Sequence, residues 1–165
     1  MSLLFKQKRI GKYWEEFTIY KLRTMVEEAE SMIDPEELIC GKMKNDPRIT
    51  KNGRKLRKFL IDEFPQFFNV LKGEMKIVGY RPQLSYECNK LPQDIKCSRF
   101  YQMPGVLPIS YAFHNPWKEG PLLPEKYIEI ERKYWREKEE RPILTDMKYG
   151  AKILYNIMFR GYRGI

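Results

Sequence analysis

The chain has 165 residues, enough for one domain with its own core and too few for two ordinary ones. Its 42% apolar content, with aromatics spread along the whole length, excludes a disordered chain. A formal charge of +9 calls for an acidic partner, whether phosphate ligand, nucleic acid or anionic membrane surface. Cys40, Cys88 and Cys97 form no CxxC pair, which argues against a disulfide framework or zinc site and for a reducing compartment. The single histidine, His114, is expected on a loop or the surface, and no GxSxG or catalytic-cysteine signature accompanies it. No run approaches the roughly 20 apolar residues of a spanning helix. Met1 to Lys12 is basic and lacks the apolar centre of a signal peptide, so the sequence reads as soluble or peripheral.

In chain order, Phe17 to Met25 partly alternates apolar and polar residues, as a half-buried strand does. From Val26 to Cys40 there are six Glu and Asp and no base, and this stretch predicts a short helix ending near Asp34-Pro35. Gly41 to Leu60 is the opposite, with eight Lys and Arg against one Asp. A solvated face accounts for such blocks as well as a ligand does. Asn45-Asp46-Pro47 predicts a turn, and Thr50 an N-cap for a basic helix from Lys51 to about Leu60. Pro65 in mid-helix would lose a hydrogen bond and clash with the Ile61 carbonyl, at a cost of roughly 3 kcal/mol. A second helix starting at Glu63, with Asp62 as N-cap and Pro65 in its first turn, avoids that cost. It would bury Phe64, Phe67, Phe68 and Leu71 and stop near Gly73.

Met75 to Val78 predicts a short strand, followed by a sharp turn at Gly79-Tyr80-Arg81-Pro82. Residues 104 to 113 read as extended, with Pro104 and Pro108 arguing against a central strand. A charged helix follows from about Glu125 to Glu140, with Tyr127, Ile130 and Tyr134 on one side. The last helix, about Leu144 to Phe159, puts Leu144, Met147, Ala151, Leu154 and Met158 on one stripe, with Lys148, Lys152, Arg160 and Arg163 on or beyond it. Such a stripe is either core or the membrane face of a basic amphipathic helix.

The chemistry concentrates between Asp46 and Pro82. Asp62 and Glu63 are adjacent carboxylates at an inferred helix start, where unpaired N–H groups hold phosphate and keep a carboxylate ionised. An ionised Asp is a competent nucleophile toward phosphorus. The pair can also share a Mg²⁺, which takes one or two carboxylates plus substrate phosphate oxygens. Arg57 and Arg81 suit bidentate phosphate binding. The same residues also make an ordinary N-cap and first turn.

LIDEFPQFFNVLKGEMKIVGYRP resembles the signature of the bacterial sugar transferases, the monotopic phosphoglycosyl transferases, which reads approximately L-D-E-L-P-Q, hydrophobic, N-V-L-x-G-D-M-S-x-V-G-P-R-P. QKRIGKYWEEFTIYKLRTM, DPRITKNGRKLRK and PGV at 104–106 resemble the family's flanking segments, in the right order. The resemblance implies transfer of a sugar 1-phosphate from a nucleotide sugar, usually UDP-linked, to polyprenyl phosphate. Asp62 would be the nucleophile, forming a covalent phosphosugar intermediate, and Glu63 the Mg²⁺ ligand with help from Asp62. Arg81 would bind phosphate and Arg57 steady the site. Pro82, Gln66, Lys21, Arg23, Asp46 and Arg48 match further motif positions and are expected to line or brace the pocket. The implied setting is the cytoplasmic face of the plasma membrane, with a membrane surface and not nucleic acid as partner.

Several positions depart from the pattern. The sequence begins almost at the first motif, without the hydrophobic re-entrant helix the resemblance implies before it, so reduced turnover on a membrane-bound lipid is expected. Tyr80 replaces the first proline of P-R-P, Thr24 a serine, Glu74 and Lys76 an Asp and a Ser, and Leu107-Pro108 a T-G pair. A non-catalytic relative that binds nucleotide sugar or a protein partner is the alternative. For the fold, one compact helix-rich α/β (α+β) domain over residues 1–165 is expected, with a small sheet of short strands and a closing amphipathic helix.

Overall fold

The computed structural model describes residues 2–29, 31–32, 46–114 and 123–160. Strands β1 (Leu4–Ile10) and β2 (Glu16–Leu22) pair antiparallel, with Leu4 opposite Leu22 and Ile10 opposite Glu16. The alternation expected around Phe17 is there: Phe17 and Ile19 are buried. Its partner β1 was not predicted, because Lys6 and Lys8 break the apolar pattern and the strand is nowhere fully buried.

The described part of the acidic stretch is a series of turns. Ala29 N–H donates to the Val26 carbonyl and Ser31 N–H to that of Glu28, which is turn bonding and not α-helix. Asp34-Pro35, Asn45, Cys40 and Arg163 lie outside the described residues. Helix α1 (Lys51–Lys58) starts as expected, with Thr50 Oγ1 accepting from the Gly53 N–H at 2.9 Å. Gly53 is required by contact: a Cβ there would lie 2.1 Å from the Thr24 carbonyl oxygen. This close approach sets α1 directly against the end of β2.

The next element corrects the sequence expectation twice. Asp62 is not the N-cap: Leu60 stands there, in the left-handed region at φ 56°, with no side-chain cap. The chain then makes a 3₁₀ helix, Ile61–Gln66, which holds Pro65, before α2 (Phe67–Leu71) and Gly73 at φ 74°. Phe64, Phe68 and Leu71 are 70%, 65% and 84% exposed, so the predicted buried face is the outer one. The inner face is polar: Asp62, Glu63, Gln66 and Asn69 recur at helical spacing and are buried. Asn69 explains the inversion. Its Nδ2 donates to the Thr18 carbonyl and to Glu74 Oε2, both at 2.7 Å, and its Oδ1 accepts from the Tyr20 N–H at 3.3 Å. The segment therefore docks on β2 through hydrogen bonds.

β3 (Lys76–Gly79) runs parallel to β4 (Gly105–Pro108), with Lys76 opposite Gly105 and Val78 opposite Leu107. A Cβ on Gly105 would sit 2.1 Å from the Gly79 nitrogen, so this pairing admits no side chain there. Helices α3 (Ser85–Asn89) and α4 (Gln93–Phe100) fill the crossover. After β4 a 3₁₀ turn, Ile109–Ala112, leads to His114, which is buried and not at the surface.

α5 (Pro124–Glu140) buries Tyr127, Ile130 and Tyr134 as predicted. α6 (Pro142–Phe159) buries Tyr149, Gly150, Ile153 and Asn156. Its predicted stripe faces out: Leu144, Met147, Ala151, Leu154 and Met158 are all exposed. One core gathers Val78, Tyr80, Ile109, Tyr111, α5 and α6; a smaller one joins Phe17, Ile19, Met75 and Val106. The result is a helix-rich α/β arrangement with two-stranded sheets, as the sequence led us to expect.

Candidate active site

The site lies where β2, the 3₁₀ segment, β3 and β4 meet. The left-handed Leu60 reverses the chain after α1, and the next turn brings Asp62 back against α1. Asp62 Oδ2 lies 4.0 Å from Arg57 Nε. That nitrogen also donates to Thr24 Oγ1 at 2.9 Å, so Arg57 is aimed from β2's end. The threonine found where the family signature has serine thus keeps the needed hydroxyl. Burial lowers the Arg57 pKa below its ordinary value, and Asp62 and Asp46 oppose that loss of charge.

Beside this pair an open cleft is lined by Arg9, Ile19, Lys21, Glu63, Gln66, Arg81, Pro82, Gly105, Val106 and Pro108. Lys21 is held down to a pKa of about 8, first by burial and then by the Arg81 charge, while Glu63 and Asp62 act in the other direction. Arg81 shows the balance reversed: burial disfavours its charge, but Tyr111, Glu63 and Glu87 outweigh that and raise it. Burial, then Glu63, pushes the Tyr111 phenol above its usual range. Arg9, Lys21, Arg57 and Arg81 surround Asp62 and Glu63, leaving an excess of positive charge suited to an anionic ligand.

The expected residues divide into two groups. Glu63, Lys21, Gln66, Arg81 and Pro82 line the cleft, with Asp62 and Arg57 adjoining. Asp46 and Arg48 pair with each other instead, at 2.6 and 2.8 Å, and Arg48 reaches the Ala29 carbonyl at 3.2 Å; they brace the turn before α1. The Asp46 pKa stays below its ordinary value because the bonds from Arg48 outweigh burial. Arg23 points to the chain start, donating to the Ser2 carbonyl at 3.1 Å and stacking 5.5 Å from the Phe5 ring centre.

Sequence analysis missed Arg9 and Tyr111. Arg9 belongs to the QKRIG segment that carried the resemblance, and it donates to the Pro82 carbonyl at 3.5 Å. Tyr111 had no such signal. On either side of the carboxylates in sequence, Phe59, Ile61, Phe64, Phe67 and Phe68 are all exposed. Among the described residues no group of three or more His, Cys, Asp or Glu could hold a metal ion.

A cation-lined cleft beside paired carboxylates suits a ligand that carries phosphate. The family model described as bacterial sugar transferase matches residues 1–159, and the chain belongs to that family. It is 38% identical over 104 residues to the undecaprenyl-phosphate galactose phosphotransferase of Salmonella typhimurium, covering 56% of this chain and 21% of that one. It is 31% identical over 165 residues to the UDP-glucose:undecaprenyl-phosphate glucose-1-phosphate transferase of Escherichia coli, covering 97% and 32%. It is 42% identical over 81 residues to the UDP-N-acetylgalactosamine-undecaprenyl-phosphate N-acetylgalactosaminephosphotransferase of Aeromonas hydrophila, covering 49% and 18%. The chain thus spans a third or less of each of these relatives, whose names carry three different sugars.

Proposed function

We propose that this chain transfers a sugar 1-phosphate from a UDP-sugar to polyprenyl phosphate through a covalent intermediate on Asp62. The observation that carries it is Asp62 itself, buried 4.0 Å from Arg57 and next to a cleft with Lys21 and Arg81. An Asp62 carboxylate oxygen attacks the phosphorus that bears the sugar. The bond from that phosphorus to the bridging oxygen breaks, and its electron pair leaves with UMP. Arg81 and Lys21 offset the charge on the phosphate oxygens, and Arg57 holds the attacking carboxylate in line. A phosphate oxygen of polyprenyl phosphate then attacks the same phosphorus, the Asp62–phosphorus bond breaks, and the carboxylate is restored.

The adjacent carboxylates fit a Mg²⁺, with Glu63 as the main ligand and Asp62 helping; when bound it neutralises charge on the diphosphate. The setting is the cytoplasmic face of the plasma membrane. Its support is the exposed aromatics Phe59, Phe64, Phe67 and Phe68 and the outward apolar stripe of α6, edged by Lys148 and Lys152. Among the described residues no helix is long and apolar enough to cross a membrane.

Intact-protein mass spectrometry after mixing with Mg²⁺ and a panel of UDP-sugars tests the mechanism. A sugar-phosphate adduct on the wild type and none on Asp62→Asn is expected, with melting temperatures within a few degrees. No adduct with any donor, even with a membrane anchor attached, would replace this mechanism with non-catalytic nucleotide-sugar binding.

A further inference from the structure

One further arginine, Arg99, does not line the cleft. Arg99, at the end of α4, is buried and held by four side chains. Its Nε donates to Glu131 Oε2 at 2.9 Å and one terminal nitrogen to Glu131 Oε1 at 2.5 Å, so the fully buried Glu131 of α5 takes the guanidinium bidentately. The same terminal nitrogen also donates to the Tyr127 hydroxyl at 2.9 Å. The other terminal nitrogen donates to Gln83 Oε1. The guanidinium carbon lies 4.7 Å from the centre of the Tyr80 ring. Burial disfavours the Arg99 charge, but Glu131 and Tyr127 outweigh it and raise the Arg99 pKa, so the guanidinium stays charged.

Tyr80 and Gln83 are the two residues that bracket Arg81-Pro82. The Tyr80 hydroxyl and the carbonyls of both residues are tied as well. The Tyr80 hydroxyl donates to the Gln102 carbonyl at 3.0 Å, and the Tyr80 carbonyl accepts from the Gly105 N–H at 2.9 Å. The Gln83 carbonyl accepts from the Ile10 N–H at 3.0 Å, and that of Pro82 from Arg9. The turn that carries Arg81 is therefore gripped on both flanks by a single neutralised ion pair. Tyr80 lacks the ring that fixes φ where the family signature has a proline, and the grip supplies the stiffness such a ring would give.

We propose that Arg99, with Glu131 as its counter-ion, is a positioning residue that aims Arg81 through Tyr80 and Gln83. This rests on the assignment of Arg81 to phosphate. The ion pair carries no net charge into the cleft, so its contribution to ligand binding runs entirely through the turn.

The test is a double-mutant cycle with UDP and inorganic pyrophosphate as probes, read by calorimetry. Gln83→Met removes the hydrogen bond from Arg99 while keeping side-chain size, and Arg99→Lys keeps a positive charge beside Glu131 but loses the planar fork that reaches Gln83 and the Tyr80 ring. Each is expected to weaken UDP binding about 10-fold in the wild-type background and to have no effect once Arg81→Ala is present. Equal losses in both backgrounds, with Arg81→Ala itself weakening UDP, overturn the positioning role alone. If Arg81→Ala leaves affinity unchanged, or the wild type binds neither probe, the phosphate assignment of Arg81 falls and this role falls with it. Gln83→Met, which leaves the Arg99–Glu131 pair intact, keeps the cycle decisive if Arg99→Lys fails to fold.

Discussion

In α5, Tyr127, Ile130 and Tyr134 turn inward and the charged residues mostly outward; across Ile61–Leu71 the two sides are exchanged. Both segments have helical periodicity, and periodicity says only which residues share a face. Which face goes inside is decided by the surface it meets. α5 packs against apolar and aromatic residues of β3, the turn after β4 and α6. Ile61–Leu71 meets the backbone edge of β2, whose Thr18 carbonyl and Tyr20 N–H need partners, and Asn69 satisfies both. An apolar face there would leave those groups unpaired.

The comparison predicts opposite mutational behaviour in the two segments. Ile130→Ala should cost about 3 kcal/mol in urea unfolding, since it empties a packed core position. Asn69→Ala comes next, at about 2 kcal/mol, because it strands the Tyr20 N–H, the Thr18 carbonyl and Glu74. If Asn69→Ala proved neutral, hydrogen bonding would not be what inverts this segment.

The cleft adds a pH dependence that neither segment shares. Lys21 is charged below its pKa of about 8 and neutral above it, so UDP affinity should fall as pH rises from 7 to 9. A bound diphosphate favours the charged form and shifts the fall upward. Lys21→Arg keeps its charge throughout, and a calorimetric profile should then be flat. A profile that still falls would assign the effect to another group.

The smallest effect sharpens the contrast most. Phe64→Ser with Phe68→Ser should change stability by no more than about 0.5 kcal/mol, although two aromatics are lost. The same protein should sediment far less with vesicles of anionic phospholipid. A large loss of stability would mean that these rings are core residues after all.

β2, α1, β3, α5 and α6 were legible because Thr50, Pro65, Gly73 and the α5 spacing act locally. α3 and α4 were not legible, and the acidic stretch reads as a helix where its described part makes turns. The cleft cations Lys21 and Arg81 and the carboxylates were legible through the motif segments. Orientation was not, although Glu63, Gln66 and Asn69 at intervals of a turn were a readable polar stripe. β1 escaped because Lys6, Gln7, Lys8 and Arg9 in succession leave it without apolar alternation. The Arg99–Glu131 pair escaped because its partners are far apart in sequence and carry no local signature.

The pairing of β3 with β4 also bears on the order of assembly. β1 and β2 are joined by a tight connection and can zip locally, carrying Arg9 and Lys21 into place early. The parallel pair must wait until the excursion through α3 and α4 has closed, and it alone brings Gly105 and Val106 to Arg81. Pulse-labelling hydrogen exchange during refolding should therefore show the Ile19 amide protected before that of Leu107. The binding cleft would be among the last parts of the molecule to exist.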